Sequence, residues 1–434
     1  MEQTKHENIV LANDNELKVL NIFWAGFIIY TSAFTISITE QVNFTVCNLI
    51  QIIGLVIMVP TILILIRLRI ENKYLQMTFL VYYFWSILVI LRGFLLEYDF
   101  IKQMLFNAYE GVLIFLLPII LLFPRNLQYI KKVFAVIIIL GVIYIFYSLL
   151  FIKDLIVSYD IKNSQDIIEY FSKTLSLPCG FILITYIYHS NRKNLLALGV
   201  IALTFVFAVF RARRALAFMA FIPIIMAYFF YLFYSKSKIM KFVFFFIIAV
   251  MITIAVAYLQ SIVYYFSTSE LTSWFVDRIG QDSRSEVEQY FFRDLKTIDW
   301  IIGKGINGQY FCPGVSEGIG QISIYRSGIE TDYLNTILKG GLVSLGLALL
   351  ILIPAMFKGF FHSKNLLSKA AASWILLYLA CLYPAPVSHF TLNYILVWIS
   401  VGICYSRELR NMSDTDIKEA LSEKKIFPET IDYQ

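Results

Sequence analysis

The sequence carries little charge. Only 15% of its 434 residues are Asp, Glu, Lys or Arg, whereas 59% are hydrophobic and 66 are Phe or Tyr (38 and 28). The mean hydropathy is +0.72. Because soluble domains carry about 25% charged residues, this composition excludes a water-soluble globule of this size and predicts an integral membrane protein.

Cysteines are few and scattered. Cys47, Cys179, Cys381 and Cys404 fall in or beside long apolar runs, and Cys312 lies in a polar stretch. This distribution implies no disulfide framework.

Apolar segments long enough to cross a bilayer core of about 30 Å recur along the chain. They lack the short alternation of barrel strands, so we predict an all-α, polytopic membrane protein. Twelve spans are expected, at about 19–38, 44–66, 74–93, 104–123, 133–152, 174–189, 194–210, 215–233, 242–261, 332–357, 370–386 and 388–405. The chain, 1–434, is expected to form a single membrane domain with a large extracytoplasmic loop at 262–331.

Lysine and arginine indicate the orientation. They cluster on alternate short connections: Arg67, Arg69 and Lys73; Arg125, Lys131 and Lys132; Arg192 and Lys193; Lys236, Lys238 and Lys241; and Lys358, Lys364 and Lys369. Such loops stay in the cytoplasm, so both termini are expected there, including a tail at 406–434. The stretch before Leu17 is too acidic and polar for a cleaved signal. The net charge of +6 suits contact with anionic lipid and does not indicate nucleic acid.

One arginine-rich segment departs from this pattern. Arg211, Arg213 and Arg214 lie on a connection expected to face outward, and no acidic neighbour in sequence neutralises them. One interpretation is that these arginines snorkel at two helix ends. The other is an anion site, because guanidinium groups stay charged and bind phosphate or carboxylate in a two-pronged manner. Charge at a membrane edge favours the functional hypothesis.

The long outer loop predicts a helix followed by turns. Over 283–302, apolar residues recur at helical spacing, Ser283 and Glu286 form a capping-box pattern, and Gly303 supplies a stop. We expect an amphipathic helix near the outer membrane face. Arg284 would lie in its first turn, either as an anion ligand or as an ordinary solvated residue. The following GKGING (303–308) matches a dinucleotide-binding pattern, but a helix precedes it, so tight turns are the better interpretation.

Two carboxylates stand where the loop re-enters the membrane. Glu330 and Asp332 come just before the apolar run of the span at 332–357. Partial desolvation there would suit a general base. Helix N-capping by Asp332 or Thr331 is the structural alternative.

Two other features involve single charged or titratable residues. Glu110 lies in the span at 104–123 and Arg92 near the outer end of the preceding span, so an ion pair is favoured over a proton relay. His389 is the histidine expected on the outer side, where a structural role and a chemical one both stay open.

Two stretches resemble the superfamily of O-antigen polymerases and O-antigen ligases. ARRALAF (212–218) is similar to the family's Ser-Arg-x-Ala-Leu pattern, with Arg213 at the arginine position and Ala212 in place of serine. The segment from Arg284 through FFRDL, which contains Arg293, to IIGKGINGQYF resembles the arginine, amphipathic helix and glycine turn of the family's periplasmic loop.

A third stretch carries the same resemblance. ETDYLNTILKGGLVSLGL (330–347) is similar to the ligase pattern His-Asn-x-Tyr-Leu, with Glu330 where ligases have histidine and with Tyr333 at the tyrosine. The motifs cover the C-terminal half of the chain, and the topology covers all of it. The missing histidine weakens the ligase interpretation and favours a polymerase.

The resemblance implies a GT-C-like glycosyltransferase in the bacterial cytoplasmic membrane, with its active site on the outer face and no need for a metal or a nucleotide sugar. Donor and acceptor would be glycans on undecaprenyl diphosphate, and a chain-length regulator and a flippase are candidate partners. The diphosphate would be bound by Arg211, Arg213, Arg214 and Arg284, which stabilise it as it leaves.

The resemblance also implies the acid–base chemistry. Glu330, with Asp332 beside it, would take a proton from the acceptor hydroxyl, and a single displacement would invert the anomeric centre. Arg293, Tyr333 and His389 are further candidates for the site. The alternatives are a ligase that transfers glycan to lipid or protein, and a flippase, in which two related halves would surround a central path.

Overall fold

The computed structural model of the protein is built mainly of helices. It describes residues 14–68, 70–157, 161–211, 213–234, 283–313 and 324–422. The α-helices of these ranges are α1 (Asp14–Ser37), α2 (Phe44–Leu65), α3 (Lys73–Gly93), α4 (Tyr98–Phe106), α5 (Leu113–Leu116), α6 (Leu127–Leu150), α7 (Ile161–Phe171), α8 (Cys179–Ile184), α9 (Asn191–Phe210), α10 (Arg214–Tyr234), α11 (Ser283–Asp294), α12 (Thr297–Ile302), α13 (Asp332–Phe361), α14 (Leu366–Cys381), α15 (Leu392–Tyr405), α16 (Arg407–Asn411) and α17 (Asp414–Ser422). Short 3-10 or π-helical turns cover Leu117–Leu122, Lys153–Val157, Ser172–Ser176 and Tyr186–Tyr188. Two short strands, β1 (Tyr310–Phe311) and β2 (Tyr325–Arg326), pair antiparallel. The predicted all-α class is confirmed.

Within the described ranges, seven helices are long and apolar enough to cross a membrane. They are α1, α2, α3, α6, α9, α10 and α13, and each coincides with a predicted span. Apolar side chains on their surfaces are widely exposed, for example Leu63 and Ile64 of α2 at 73% and 68%. Such a surface suits lipid rather than water, so the architecture is that of a helical membrane protein. The predicted span at 242–261 lies outside the described residues, and the total of twelve spans stays a prediction.

Two predicted spans are broken into short pieces. The segment 104–123 divides into α4, α5 and a 3-10 turn, and 174–189 divides into a π-helical turn, α8 and a second 3-10 turn. Pro118 lies at the start of one 3-10 turn, and Pro178 directly precedes α8. Proline has no N–H for the helical ladder and its ring crowds the preceding turn, so both residues start new segments. The expectation of continuous helices at these two places was wrong.

The last two predicted spans are shorter than expected. α14 has 16 residues and α15 has 14, and the loop between them includes residues 384–390. Every residue of α15 except Asn393 is buried. A helix that is apolar on all sides is enclosed by other helices, so α15 lies at the centre of the core.

The described part of the predicted tail is folded against the membrane domain. α16 and α17 bury Leu409 and Ile417. The amide of Asn365 donates to the Leu409 carbonyl oxygen at 2.7 Å, and the Tyr188 hydroxyl donates to Asp414. Tyr188 and Asn365 adjoin two of the basic connections that the sequence assigns to the cytoplasm, so the tail lies at that same end of the molecule.

The amphipathic segment 283–302 forms two helices rather than the single one that we expected. α11 buries Val287 and Phe291 against the first turns of α13. The chain then starts again as α12, where the backbone N–H of Lys296 donates to the Asp299 carboxylate at 3.2 Å. Gly303, with φ of 72°, ends α12 at the predicted position.

The glycine turns of GKGING cover a break in α13. Gly341 has φ of 71° and ψ of −178°, a conformation that glycine adopts without a side-chain clash, and it interrupts the helix. The N–H groups of Lys304 and Gly305 donate to the carbonyl oxygens of Leu338 and Lys339 at 2.7 and 2.9 Å. The tight turns were predicted, and their role here is to satisfy carbonyl groups that the break leaves open.

Candidate functional site

A cavity of about 890 Å³, a volume that includes open solvent, lies beside α13 between Asp332 and Leu352. Its walls come from α3, the turn before α5, α13, the C-terminal end of α14 and the loop before α15. Its polar lining includes Asp332 and Ser388 as well as Glu110 and Ser327. The cavity therefore joins parts of the chain that are far apart in sequence.

Asp332 is the buried carboxylate of this cavity. It is the first residue of α13 and is 1% exposed. Its Oδ2 accepts hydrogen bonds from the Ser388 backbone N–H at 3.1 Å and from the Ser388 hydroxyl at 2.5 Å. The Tyr378 hydroxyl lies 2.8 Å from Ser388 Oγ, and it must be the donor there, because Ser388 gives its single proton to Asp332. Two hydroxyls thus hold Asp332 in one orientation.

Glu330 and Arg284 meet beside the cavity. Arg284 Nε donates to Glu330 Oε2 at 3.0 Å, and Nη2 donates to the Pro384 carbonyl oxygen at 2.8 Å. The two charged side chains are 38% and 56% exposed, so solvent weakens their attraction. The contact ties α11 to the start of α13 and to the loop after α14.

Three neighbouring residues have different surroundings. Thr331 is the N-cap residue of α13, and its hydroxyl donates to Glu288 Oε1 at 2.6 Å instead of capping the helix. Tyr333 stacks on Tyr383 with ring centroids 6.5 Å apart. Arg293 is exposed in the last turn of α11. Thr331 therefore occupies the N-cap position of α13, as the structural alternative predicted, but its side chain does not cap the helix.

Arg211 makes structural contacts in the fold, and its assignment to the diphosphate site stays a prediction. It is 9% exposed and follows the last residue of α9. Its guanidinium donates to the Leu155 carbonyl oxygen at 3.1 and 3.0 Å and to that of Ile156 at 3.0 Å. These bonds join α9 to the connection after α6 through the Nε and Nη2 atoms of Arg211.

Arg213 is neutralised by carboxylates distant in sequence. Its Nη2 lies 2.6 Å from Asp166 Oδ1 and its Nη1 lies 3.2 Å from Glu169 Oε2. Both partners belong to α7. Arg214, the first residue of α10, is exposed. Arg213 therefore has acidic partners that its neighbours in sequence do not reveal.

A buried lysine extends this charge cluster. Lys173 lies in the π-helical turn after α7, its side chain is 5% exposed, and its Nζ is 2.5 Å from Glu169 Oε1. Burial would raise the pKa of Glu169, but the charges of Lys173 and Arg213 outweigh burial and lower this pKa to about 2. Hydrophobic periodicity gave no signal for Lys173, because the turn that buries it departs from α-helical spacing.

Tyr109 and His389 stand between the charge cluster and the cavity. Tyr109 lines the cavity, its hydroxyl lies 3.3 Å from Thr174 Oγ1, and its ring centroid is 3.9 Å from that of His389. His389 is 5% exposed, and its Nδ1 and Nε2 lie 3.2 and 3.0 Å from the carbonyl oxygens of Tyr109 and Pro386. Burial lowers the pKa of His389 to about 3, with a further contribution from Lys173. A neutral, enclosed imidazole of this kind supports the loop before α15.

Glu110 and Arg92 serve different parts of the fold. Glu110 lies in the turn between α4 and α5, lines the cavity and accepts a hydrogen bond from Gln103 Nε2 at 3.3 Å. Arg92 Nη2 donates to the Ile302 carbonyl oxygen at 2.5 Å. Arg92 thus binds the end of α12, which differs from the expected ion pair with Glu110.

The cavity lining changes from polar to apolar residues along α13. Lys339, seven residues after Asp332 and so about 10 Å along α13, lines it next, followed by Ser344. The apolar part of the lining consists of Ile114, Phe115, Leu345, Ala348, Leu349 and Leu352. Lys339 and Ser344 were missed in the sequence because both read as ordinary residues of an apolar span.

The fold and the cavity together define an all-α membrane protein with a carboxylate-bearing cavity at one end of a broken helix. No protein-family model, curated protein or solved structure matches the chain.

Proposed function

We propose that the protein is a polymerase of O-antigen or capsular polysaccharide. It joins oligosaccharide repeat units carried on undecaprenyl diphosphate at the outer face of the bacterial cytoplasmic membrane, without a metal and with inversion. The observation that carries this proposal is a cavity in a helical membrane protein that is lined by the buried carboxylate of Asp332. The resemblance of 212–218, 284–311 and 330–347 to O-antigen polymerases and ligases supports it.

The walls of the cavity suit a glycan. Tyr82, Tyr109, Tyr378 and Tyr394 line it together with serine, threonine and asparagine side chains. Aromatic faces pack against the C–H faces of sugar rings, and hydroxyl and amide groups exchange hydrogen bonds with sugar hydroxyls. A cavity with both kinds of lining binds a sugar more readily than it binds a purely apolar ligand.

We assign the general base to Asp332 rather than to Glu330. Asp332 lines the cavity, and both hydrogen bonds from Ser388 end on its Oδ2, so Oδ1 accepts neither of them. Glu330 is exposed and paired with Arg284. A base must lie within hydrogen-bond reach of the proton that it removes, and the cavity is the enclosed place where an acceptor hydroxyl can approach a carboxylate.

In the proposed reaction, the acceptor hydroxyl gives its proton to Asp332 as its oxygen attacks the anomeric carbon of the donor. The new glycosidic bond forms while the bond from that carbon to the diphosphate oxygen breaks, and the diphosphate leaves with the electron pair. Attack from the opposite face inverts the anomeric centre. Arg284, which is paired with Glu330 two residues before Asp332, attracts the anionic substrate.

The test is the size distribution of surface polysaccharide in cells that carry single substitutions. Asp332→Asn should reduce the ladder to single repeat units at an unchanged protein level. Glu286→Gln, an exposed carboxylate on α11, is the matched control and should leave the ladder intact. A normal ladder in Asp332→Asn cells would refute the proposal, and so would polymer retained on the lipid carrier, which would indicate a ligase.

A transporter of lipid-linked oligosaccharide is the second candidate, because α13 is broken at Gly341 beside the cavity. Discontinuous helices form the substrate sites of many secondary transporters. Reconstituted vesicles separate the two functions. A flippase moves a labelled lipid-linked unit across the bilayer without lengthening it, whereas a polymerase lengthens it.

A further inference from the structure

We infer that the protein has a second binding site, for an anionic phospholipid, formed by Arg125, Tyr129 and the start of α6. It lies at the end of the fold that the basic connections assign to the cytoplasm. The site shares no lining residue with the cavity beside α13, so it goes beyond the proposed function. The group that it binds is the phosphate diester of a lipid in the cytoplasmic leaflet.

A second cavity lies between the start of α6 and the C-terminal half of α15. Its volume is about 300 Å³, which includes open solvent. Arg125 and Tyr129 contribute polar groups to its wall. Most of the remaining lining is apolar and includes Ile120, Leu121, Ile130, Ile399 and Ile403. An apolar cavity with a cation in its wall suits an amphipathic anion better than a fully soluble one.

Arg125 has more hydrogen-bond donors than the fold uses. Its Nη2 donates to the Leu121 carbonyl oxygen at 2.9 Å, and within the described chain its guanidinium makes no other hydrogen bond and no ion pair. Burial lowers the pKa of Arg125, and the charge of Glu71 offsets part of this effect without forming an ion pair. A half-buried guanidinium without a carboxylate partner favours an anion from outside the chain, because burial of an unpaired charge is costly.

The backbone around Arg125 adds to its positive charge. A Cβ at Gly402 would lie 3.6 Å from both Cδ and Nε of Arg125, so the side chain lies against α15 at this glycine. The next residue, Asn126, is the N-cap of α6 and accepts a hydrogen bond from the Tyr129 N–H at 2.7 Å. The first turn of a helix attracts anions through its free N–H groups and its dipole. Arg125 and the start of α6 therefore act on the same anion.

The hydroxyl of Tyr129 is the independent sign of a ligand. Tyr129 is 5% exposed and lines the cavity, yet its hydroxyl makes no hydrogen bond with the rest of the described chain. Its ring packs edge-on against Phe123, which offers no acceptor. Buried hydroxyls nearly always have a partner. A phosphate or ester oxygen of a lipid in the cavity is an acceptor for this one.

The charge around the cavity favours a lipid of the cytoplasmic leaflet. Lys131 and Lys132 follow on α6, and Arg407 is exposed on α16. Basic residues at the cytoplasmic surface attract anionic lipids. The cavity extends from Arg125 to Trp398 in the middle of α15. A phosphate held at Arg125 therefore leaves hydrocarbon to contact the apolar lining.

Native mass spectrometry of the purified protein in detergent measures the affinity for the first lipid bound. The wild type should bind phosphatidylglycerol at least about fivefold more tightly than zwitterionic phosphatidylcholine, and glycerol 3-phosphate should not bind at the same concentrations. Arg125→Gln should weaken phosphatidylglycerol binding by about tenfold or more, the effect of a lost charged hydrogen bond. Arg125→Lys should retain most of the affinity. Arg192→Gln removes an exposed charge from another basic connection, so it is the matched control and should bind as the wild type does.

Thermal unfolding in lipid nanodiscs gives a second readout, through Tyr129→Phe. In phosphatidylcholine alone this variant should unfold at or above the wild-type temperature, because the hydroxyl that it lacks has no partner in the fold. Added phosphatidylglycerol should raise the unfolding temperature of the wild type more than that of Tyr129→Phe. A hydroxyl with a purely structural role would not produce this difference.

Three results would overturn the inference. One is phosphatidylglycerol binding by Arg125→Gln within about twofold of Arg192→Gln, when both variants are folded. Another is an equal rise of unfolding temperature in Tyr129→Phe and the wild type, which decides the matter even if Arg125→Gln fails to fold. The third is glycerol 3-phosphate binding as tightly as phosphatidylglycerol, which would assign the site to a soluble phosphate.

Discussion

Replacement of Ser388 by alanine tests whether two hydroxyls hold the carboxylate of Asp332 in place. The substitution removes the donor to Asp332 Oδ2 at 2.5 Å and the acceptor of Tyr378 at 2.8 Å, while the backbone N–H of residue 388 stays. A hydrogen bond to a charged group contributes about 1.5–3 kcal/mol, and a buried hydroxyl left unpaired costs about 1–3 kcal/mol. Because water can replace part of this loss, Ser388→Ala should lower the free energy of unfolding by about 2–4 kcal/mol.

The matched variants separate the two bonds. Tyr378→Phe removes the outer donor alone and should cost about 1 kcal/mol. Ser388→Thr keeps the hydroxyl and should recover most of the stability. The double variant should be more stable than the sum of the single changes predicts, by about 1 kcal/mol, because both changes delete the same bond.

The assay is reversible unfolding of the purified protein in mixed micelles, combined with the rate of glycan extension. We expect the rate to fall in Ser388→Ala and to recover in Ser388→Thr. If Ser388→Ala unfolds within about 0.5 kcal/mol of the wild type and extends glycan at the normal rate, the hydroxyls do not position Asp332 and the argument is refuted.

Three other outcomes are expected. The pKa of Glu169 is lowered from 4.5 to about 2, so its stabilising effect is complete above about pH 4.5 and is lost as the pH falls towards 2. The unfolding temperature of Glu169→Gln should therefore fall less steeply with acidification than that of the wild type. Equal slopes of unfolding temperature against pH would contradict this. Gly341→Ala should lower the free energy of unfolding by at least about 2 kcal/mol, because a Cβ there would lie 2.1 Å from a backbone oxygen of α12. Gly346→Ala, which has open space around it, should leave the free energy of unfolding unchanged. Equal free energies of unfolding in the two variants would contradict this prediction. Arg284→Ala should slow glycan extension severalfold and lower the free energy of unfolding by at most about 1 kcal/mol. Arg293→Ala, at an exposed position, should change neither the rate nor the stability. Equal extension rates in the two variants would show that Arg284 has no role in the reaction.

Features that depend on neighbouring residues in sequence could be predicted. The apolar runs locate α1, α2 and α13 because crossing a bilayer requires a long, uninterrupted hydrophobic helix. The same reasoning places Glu330 and Asp332 at the start of α13, since polar residues mark the edge of an apolar run. Gly303 ends α12 as expected, because its positive φ favours glycine.

Features that depend on long-range packing could not be predicted. Arg213 pairs with Asp166 and Glu169, which lie forty-seven and forty-four residues away in sequence. No pattern in the residues around Arg213 indicates these pairs. The break in α13 has a local signal in Gly340 and Gly341, but glycine pairs also occur in unbroken membrane helices. The packing of GKGING against α13, which depends on residues far away in sequence, accompanies the break.

The most direct measurement is glycan extension by the purified protein in lipid vesicles supplied with the undecaprenyl-diphosphate-linked repeat unit. Products are separated by size and the released lipid diphosphate is counted. The account predicts chains of two or more repeat units, one lipid diphosphate released per new bond, and no extension by Asp332→Asn while Glu286→Gln behaves as the wild type. Extension by Asp332→Asn at the wild-type rate, or no new bond with the wild type, would contradict it.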